Sequence, residues 1–100
     1  MIRHNGIRID RKNRVISHRG AIVLPRKKFA VACHLILAGP ITRLELFDML
    51  YRDDPEGGPL NDLNTASVWM TYLRPRLGLI GLEIVADGTG YPKKHSIVCA

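Results

Sequence analysis

Alternating apolar and polar residues near the start of the chain predict short antiparallel strands. Residues 6–10 alternate apolar and polar side chains, and residues 14–18, with Val15 and Ile16, follow after a polar turn at 11–13. Arg19 and Gly20 lead into the apolar segment 21–24. Because β-branched residues between turn residues favour hairpins, a small antiparallel sheet is predicted over about 6–24.

After Pro25 the hydrophobic period becomes helical. Proline suits the first turn of a helix because its missing N–H needs no partner there. Apolar residues then follow helical spacing over about 26–38, and Gly39-Pro40 ends this first helix. A second helix is predicted over about 42–51, with Thr42 and Glu45 as its capping box. Its predicted apolar face consists of Leu44, Phe47, Met49, Leu50 and Tyr51.

A third helix is predicted over about 62–77, with Asp62 or Asn64 as its N-cap. One apolar stripe runs along it, and we expect its Met70 and Leu73 to pack in a core with residues of the first two helices. Pro75 is expected to bend or end this helix near Leu73 or Arg74. The stripe consists of Ala66, Met70, Leu73 and Leu77, and its expected core partners are Phe29, Leu35 and Phe47. Trp69, beside the stripe, is interpreted as a core residue, with base stacking as the alternative.

The C-terminal part is predicted to be a β-hairpin over about 82–98. Residues 82–86 are predicted to form a strand, residues 87–90 a turn with two glycines, and the chain returns from Tyr91. The order of strands, three helices and a hairpin predicts an α+β fold with a single core over residues 1–100.

Composition agrees with one compact domain. The chain has 100 residues, 46% of them hydrophobic and 24% charged. The longest apolar run, residues 29–38, is about half of a membrane span, and the first residues do not resemble a signal peptide. Cys33 and Cys99 do not form a disulfide framework. We therefore expect a reduced cytoplasmic protein with no membrane association.

Positive charge is concentrated at the N-terminus. The net charge is +6, and residues 1–28 hold nine basic side chains and one acidic side chain. Residues 29–62 carry a net −4, and residues 63–100 carry +2. A basic excess favours polyanionic partners, although a solvated surface is the alternative interpretation.

The sequence contains no recognisable catalytic motif, so no enzyme activity, catalytic residue or cofactor is predicted. Metal binding is not predicted either. Cys33 and His34 are adjacent, and the spacing of the candidate ligands fits no standard zinc pattern. Those candidates are His4, His18, His34, His95, Cys33 and Cys99.

Four segments in order resemble the winged-helix DNA-binding domain of OmpR/PhoB-type response regulators, over roughly residues 7–91. Residues 21–29 (AIVLPRKKF) resemble that family's last N-terminal strand and first helix. Residues 41–46 (ITRLEL) resemble the start of its second helix. Residues 66–77 (ASVWMTYLRPRL) resemble its recognition helix, and residues 88–91 (GTGY) its wing.

The resemblance implies a winged helix-turn-helix that regulates transcription by binding double-stranded DNA. The third helix would enter the major groove and the wing would lie near the minor groove. Lacking a receiver domain, the chain is expected to be a stand-alone bacterial or phage control protein or an excised output domain. The implied base contacts are Asn64, Thr65, Ser67, Val68, Thr71 and Tyr72. The implied phosphate contacts are Arg43, Arg74, Arg76, Lys93 and Lys94.

Two departures from the family keep other functions open. Asp87 stands where the family commonly has an arginine, and residues 63–73 contain no charged side chain. A winged-helix protein-interaction module is therefore the main alternative, and nonspecific coating of nucleic acid is a third. The acidic segment 45–62 is a candidate contact for RNA polymerase, as in the family, or simply a solvated loop. Tandem or dimeric binding on DNA is also implied.

Overall fold

A computed structural model describes the backbone of residues 2–51, 62–87 and 93–99, and side chains over 2–51, 67–86 and 93–99. Within these residues the fold is α+β, as predicted, with three helices, a small antiparallel sheet and a C-terminal hairpin. The elements are β1 (Ile2–His4), β2 (Ile7–Asp10), β3 (Val15–Ser17), β4 (Ala21–Val23), α1 (Arg26–Leu37), β5 (Ile41–Thr42), α2 (Arg43–Tyr51), α3 (Asp62–Gly78), β6 (Leu82–Asp87) and β7 (Lys94–Cys99).

The N-terminal strands form one antiparallel sheet in the order β1-β2-β3-β4. Ile7, Ile9 and Ile16 are buried, whereas Arg8 between the two β2 isoleucines is exposed, so one face of the sheet covers the core. The first strand was not predicted. It pairs Ile2 with Ile9 and extends the sheet by one edge strand.

The capping box of α2 is confirmed. The Glu45 backbone N–H donates to Thr42 Oγ1, and the Thr42 N–H donates to Glu45 Oε1, each at 3.1 Å. The predicted apolar face of α2 is partly wrong, since Leu44 is 53% exposed and Leu46 is buried instead. Leu46 and Phe47 face the core. Leu44 comes two residues before Leu46, a rotation of about 200° around the helix axis, so its side chain points away from the core.

Helix α3 continues through Pro75 to Gly78. The prediction that Pro75 ends the helix near Leu73 or Arg74 is therefore wrong. Because proline has no N–H, the carbonyl oxygen of Thr71 lacks its usual helical donor. Thr71 and Pro75 are both exposed, so this position lies on the solvent side of the helix. Nearby, Arg76 Nη1 donates to the carbonyl oxygen of Tyr72 at 2.9 Å. A side-chain donor thus supports the last turns of the helix.

A second sheet, in the order β5-β7-β6, contains the hairpin and one short strand that was not predicted. Gly39 lets the chain reach this sheet after α1. A Cβ at Gly39 would clash with the Leu35 carbonyl oxygen of α1, and it would lie 2.9 Å from Ser96 Cβ and 3.1 Å from the His95 carbonyl oxygen on β7. Only glycine therefore fits at this approach without a shift of the neighbouring chain.

One hydrophobic cluster joins the helices to both sheets. Met70 and Leu73 share it with Phe29, Leu35 and Phe47, as predicted, and Trp69 is also buried. Leu73 and Leu77 are fully buried, which confirms the helical phase of the stripe where side chains are described. No helix within the described residues is both long enough and apolar enough to cross a membrane.

Candidate nucleic-acid interface

The short strand β5 places the start of α2 beside the hairpin. Ile41 pairs with His95, and Thr42 pairs with Lys94. Arg43 follows directly as the first residue of α2, and its position is fixed by this pairing and by the capping box. A non-local strand pair of only two residues thus brings Arg43 close to the basic part of β7.

One side of α3 faces the same region. Ser67, Thr71 and Arg74 lie at i, i+4 and i+7, so they line one flank of the helix. Arg43 Nη1 donates to Ser67 Oγ at 2.8 Å, which joins α2 to α3. Arg74 Nη1 donates to the carbonyl oxygen of Ile84 at 3.0 Å, which joins α3 to β6. Each bond uses one of the five N–H donors of a guanidinium.

These side chains line an open cleft of about 300 Å³ between the two helices and the hairpin. Three of the lining residues are cationic, two carry hydroxyl groups, and none is acidic. They are Arg43, Ser67, Met70, Thr71, Arg74, Lys93 and His95. Convergent cations and hydroxyl donors are the chemistry that binds phosphate groups.

His95 is the residue of the cleft that sequence reasoning missed. Its Nδ1 atom is buried and has no hydrogen-bond partner within the described part of the chain. Burial lowers the pKa of His95, and the positive charges of Arg43, Arg74 and Lys93 lower it further. Burial and the nearby cations therefore both favour the neutral imidazole, and an anion in the cleft would relieve the repulsion from the cations.

The opposite flank of α3 is arranged differently. The guanidinium carbon of Arg76 lies 3.6 Å from the centroid of the Tyr72 ring, and Lys28 Nζ lies 5.3 Å from the same centroid. Both cations are thus engaged in cation–π contacts within the protein. A DNA contact by Tyr72 would then use its hydroxyl group in preference to stacking, and Arg76 would meet a phosphate from its stacked position.

The outward face of α3 presents small and polar groups. Val68 is 65% exposed and Thr71 is exposed, so both are accessible for base contacts. Ser67 is half-buried and bonded to Arg43. Asn64 and Thr65 belong to the same helix, but their side chains lie outside the described residues. Trp69 is 6% exposed and is a core residue, as interpreted from the sequence.

The hairpin brings the other predicted phosphate contacts to one end of β7. Lys93 and Lys94 are exposed, and Lys94 pairs with Asp87 across the two strands. Lys93 lines the cleft, whereas Lys94 is not among its lining residues. Residues 88–90 of the predicted turn and residues 52–61 of the acidic segment 45–62 lie outside the described residues, and Asp87, predicted as a turn residue, is the last residue of β6.

One feature of the sequence places His95 near the predicted phosphate contacts. His95 lies in the returning strand after two lysines, but its place in the cleft depends on the pairing with Ile41, which no local pattern predicts. Among the described residues, no group of three or more His, Cys, Asp or Glu side chains is placed to hold a metal ion.

Comparisons with protein-family models and with curated proteins found no match to this chain. The resemblance to the OmpR/PhoB-type domain therefore depends on the four sequence segments alone.

Proposed function

We propose that the chain is a DNA-binding transcriptional regulator of the winged-helix class. In this proposal α3 enters the major groove and the β6–β7 hairpin lies near the minor groove. The order of three helices followed by a hairpin supports it, as does the start of α2 lying beside α3. Helix-turn-helix domains use this arrangement to seat one helix in the groove.

The observation that carries the proposal is the cleft beside α3. Arg43, Arg74 and Lys93 come from three different elements and converge on it, with Ser67 and Thr71 supplying hydroxyl groups. Phosphate contacts fix the position of a domain on the duplex without reading sequence. A phosphate seated here would hold α3 against the edge of a groove.

Base readout would then fall to the outward face of α3. Thr71 offers a hydroxyl group, and Val68 offers methyl groups to thymine. The implied contacts of Asn64, Thr65, Ser67 and Tyr72 stay predictions. Because residues 63–73 contain no arginine, the commonest bidentate contact to guanine is absent from this stretch, and we expect modest sequence specificity.

A protein-interaction module is the second candidate. Leu44 on α2 and Val68 on α3 are each more than half exposed, so both helices present an apolar side chain to solvent. Exposed apolar residues next to polar ones are typical of protein contact surfaces when they cluster. Contact with RNA polymerase through the acidic segment 45–62, and tandem or dimeric binding on DNA, likewise stay proposals.

Selection of bound sequences from a random duplex pool, followed by salt titration of the selected and random duplexes, tests the proposal. We expect an enriched motif whose binding weakens with salt. Equal binding to all duplexes would instead indicate nonspecific coating, and no binding at low salt would favour the protein-interaction module.

A matched pair of variants assigns the readout. Thr71→Val removes one hydroxyl group at nearly constant volume, so the enriched motif should relax at one position. Arg76→Gln, on the opposite flank, should weaken binding to all duplexes without changing the motif. A motif that is unchanged by Thr71→Val would remove Thr71 from the reading face.

A further inference from the structure

A cysteine and a histidine meet where the two sheets adjoin, away from the cleft. The Sγ atom of Cys99, the last residue of β7, lies 3.4 Å from Nε2 of His18, which follows β3. Cys99 comes four residues after His95, a lining residue of the cleft, on the same strand. The Cys99–His18 pair therefore lies roughly 13 Å from the cleft. Cys99 is exposed, and its thiol is accessible to solutes.

The imidazole ring of His18 is held in one orientation. Its Nδ1 atom lies 2.9 Å from the carbonyl oxygen of Ile80, and the same oxygen accepts the N–H of Arg19 at 3.1 Å. A carbonyl oxygen can only accept, so Nδ1 carries the hydrogen in this contact. In the neutral ring, Nε2 then presents a lone pair to the thiol of Cys99.

This is the arrangement of an activated thiol. A nucleophile lies within hydrogen-bond reach of a base, and a third group orients the base. The thiol has a second, longer contact, 3.8 Å from the Asn5 carbonyl oxygen. Cys33 provides the contrast within the same chain, because it is buried in the core and burial raises its pKa to about 11.

We propose that Cys99 is a reactive thiol that forms mixed disulfides with low-molecular-weight disulfides, with His18 as its proton acceptor. The thiol proton passes to Nε2 of His18, and the sulfur attacks one sulfur of the reagent. A bond forms between Cys99 and that sulfur, and the reagent's own S–S bond breaks. The released thiolate takes the proton back from the imidazolium. Cys99 is oxidised, and the reagent's leaving sulfur is reduced to a thiol.

Modification at this position affects the junction between the sheets. The sulfur lies among groups from the β1–β2 turn, from the segment after β3 and from β7 itself. A group attached to Sγ must extend into solvent. The sulfur then has no hydrogen to donate, so the hydrogen bond from the thiol to His18 or Asn5 is lost. Mixed-disulfide formation at Cys99 would therefore change the contacts between the two sheets in response to the ratio of disulfides to thiols in solution.

The test measures reaction of the intact chain with dithiodipyridine at neutral pH, with mass spectrometry to locate the modified cysteine. His18→Asn is the informative variant, because the Asn amide nitrogen can replace Nδ1 opposite Ile80 while Nε2 is removed. The reference is Val98→Cys combined with Cys99→Ser. It places an accessible thiol one residue away, on the other face of the strand and without the histidine.

We expect Cys99 to react about tenfold faster than the reference thiol and well before Cys33, and H18N to remove about tenfold of that rate. Slow reaction of Cys33 in every variant reports that the protein stays folded. A Cys99 rate no higher than the reference rate would overturn the proposal, and so would a folded H18N variant that reacts at the parent rate. Should H18N unfold, the comparison of Cys99 with the V98C reference decides alone.

Discussion

Two regions of the molecule are rich in positive charge, and they differ in how that charge is arranged. Residues 1–28 contain nine basic side chains, and in the N-terminal sheet Arg3 and Arg8 lie opposite each other as exposed neighbours on β1 and β2. The cleft has only three cations, Arg43, Arg74 and Lys93, but they converge on one space together with hydroxyl groups.

Under the proposed function, the arrangement of charge matters more than its amount. Exposed charges spread over a sheet attract any polyanion, and salt screens them over about 8–10 Å. In the partly enclosed cleft, burial lowers the pKa of His95, and the positive charges of Arg43, Arg74 and Lys93 act in the same direction. We therefore propose that the N-terminal sheet supplies general attraction to polyanions and that the cleft positions a phosphate.

The largest expected effect comes from removing the support of the cleft. Leu73 is fully buried on the core side of α3, and Leu73→Ala should lower the free energy of unfolding by about 2–5 kcal/mol. Denaturant titration measures this change. An unchanged unfolding midpoint would contradict the assigned packing of α3, and with it the geometry of the cleft.

Gly39→Ala should disturb the cleft more selectively. The added methyl group would press on the Leu35 carbonyl group of α1, and also on Ser96 and the His95 carbonyl group, where β7 pairs with β5. We expect a loss of about 1–3 kcal/mol in stability and weaker DNA binding. Gly6→Ala is the matched control for space, because a Cβ there meets no atom within 4 Å, although its positive φ adds strain of its own. Equal loss of DNA affinity in both variants would argue against a role of β5 in forming the site.

Asp87→Arg should sharpen the contrast by adding a cation at the end of β6. Its backbone pairs with Lys94, so the new charge would join the basic end of the hairpin. Affinity for duplex DNA at low salt should increase by about 1 kcal/mol or more, since one repulsion is removed and one attraction is added. Equal or weaker binding by a folded D87R protein would place the hairpin away from DNA.

The smallest predicted effect depends on pH and belongs to the cleft alone. A phosphate would raise the lowered pKa of His95, so binding takes up protons and affinity should increase about threefold between about pH 7.5 and about pH 6. The stability of the free protein should change in the opposite direction. Its folded state binds the His95 proton more weakly than the unfolded state, so stability falls as pH drops below about 6.5.

Affinity measurements on the parent and on His95→Gln test this coupling. The variant should lose the pH dependence that His95 contributes, while the contribution of the other histidines stays. Identical pH profiles for parent and variant would exclude His95 from the binding site.

The contrast between the two regions also explains what could be predicted from the sequence. Local patterns predicted the three helices, the capping box of α2 and the phase of α3, because each depends on residues within a few positions of one another. The polar side chains of the hairpin and of α3 were implied by the family resemblance, which also rests on segments that are continuous in the chain.

The missed features depend on distant parts of the chain. Strand β5 has two residues and no pattern of its own, and it exists because β7 offers an edge to Ile41 and Thr42. His95 joins the site only through that pairing. Leu44 was assigned to the core because it is apolar, whereas the contacts of α2 with its neighbours select Leu46. Helix α3 tolerates Pro75 because that position faces solvent.

Comparison of two double variants tests the central claim that the cleft, and not the charge-rich N-terminal sheet, holds DNA phosphate. Arg43→Gln with Lys93→Gln removes two charges from the cleft, and Arg3→Gln with Arg8→Gln removes two from the sheet. Salt titration of duplex binding gives the slope of log affinity against log salt, which decreases by about 0.9 for each lost phosphate contact. The cleft variant should lose about 1.8 in slope and the sheet variant clearly less. Equal losses, or a larger loss in the sheet variant, would contradict this account.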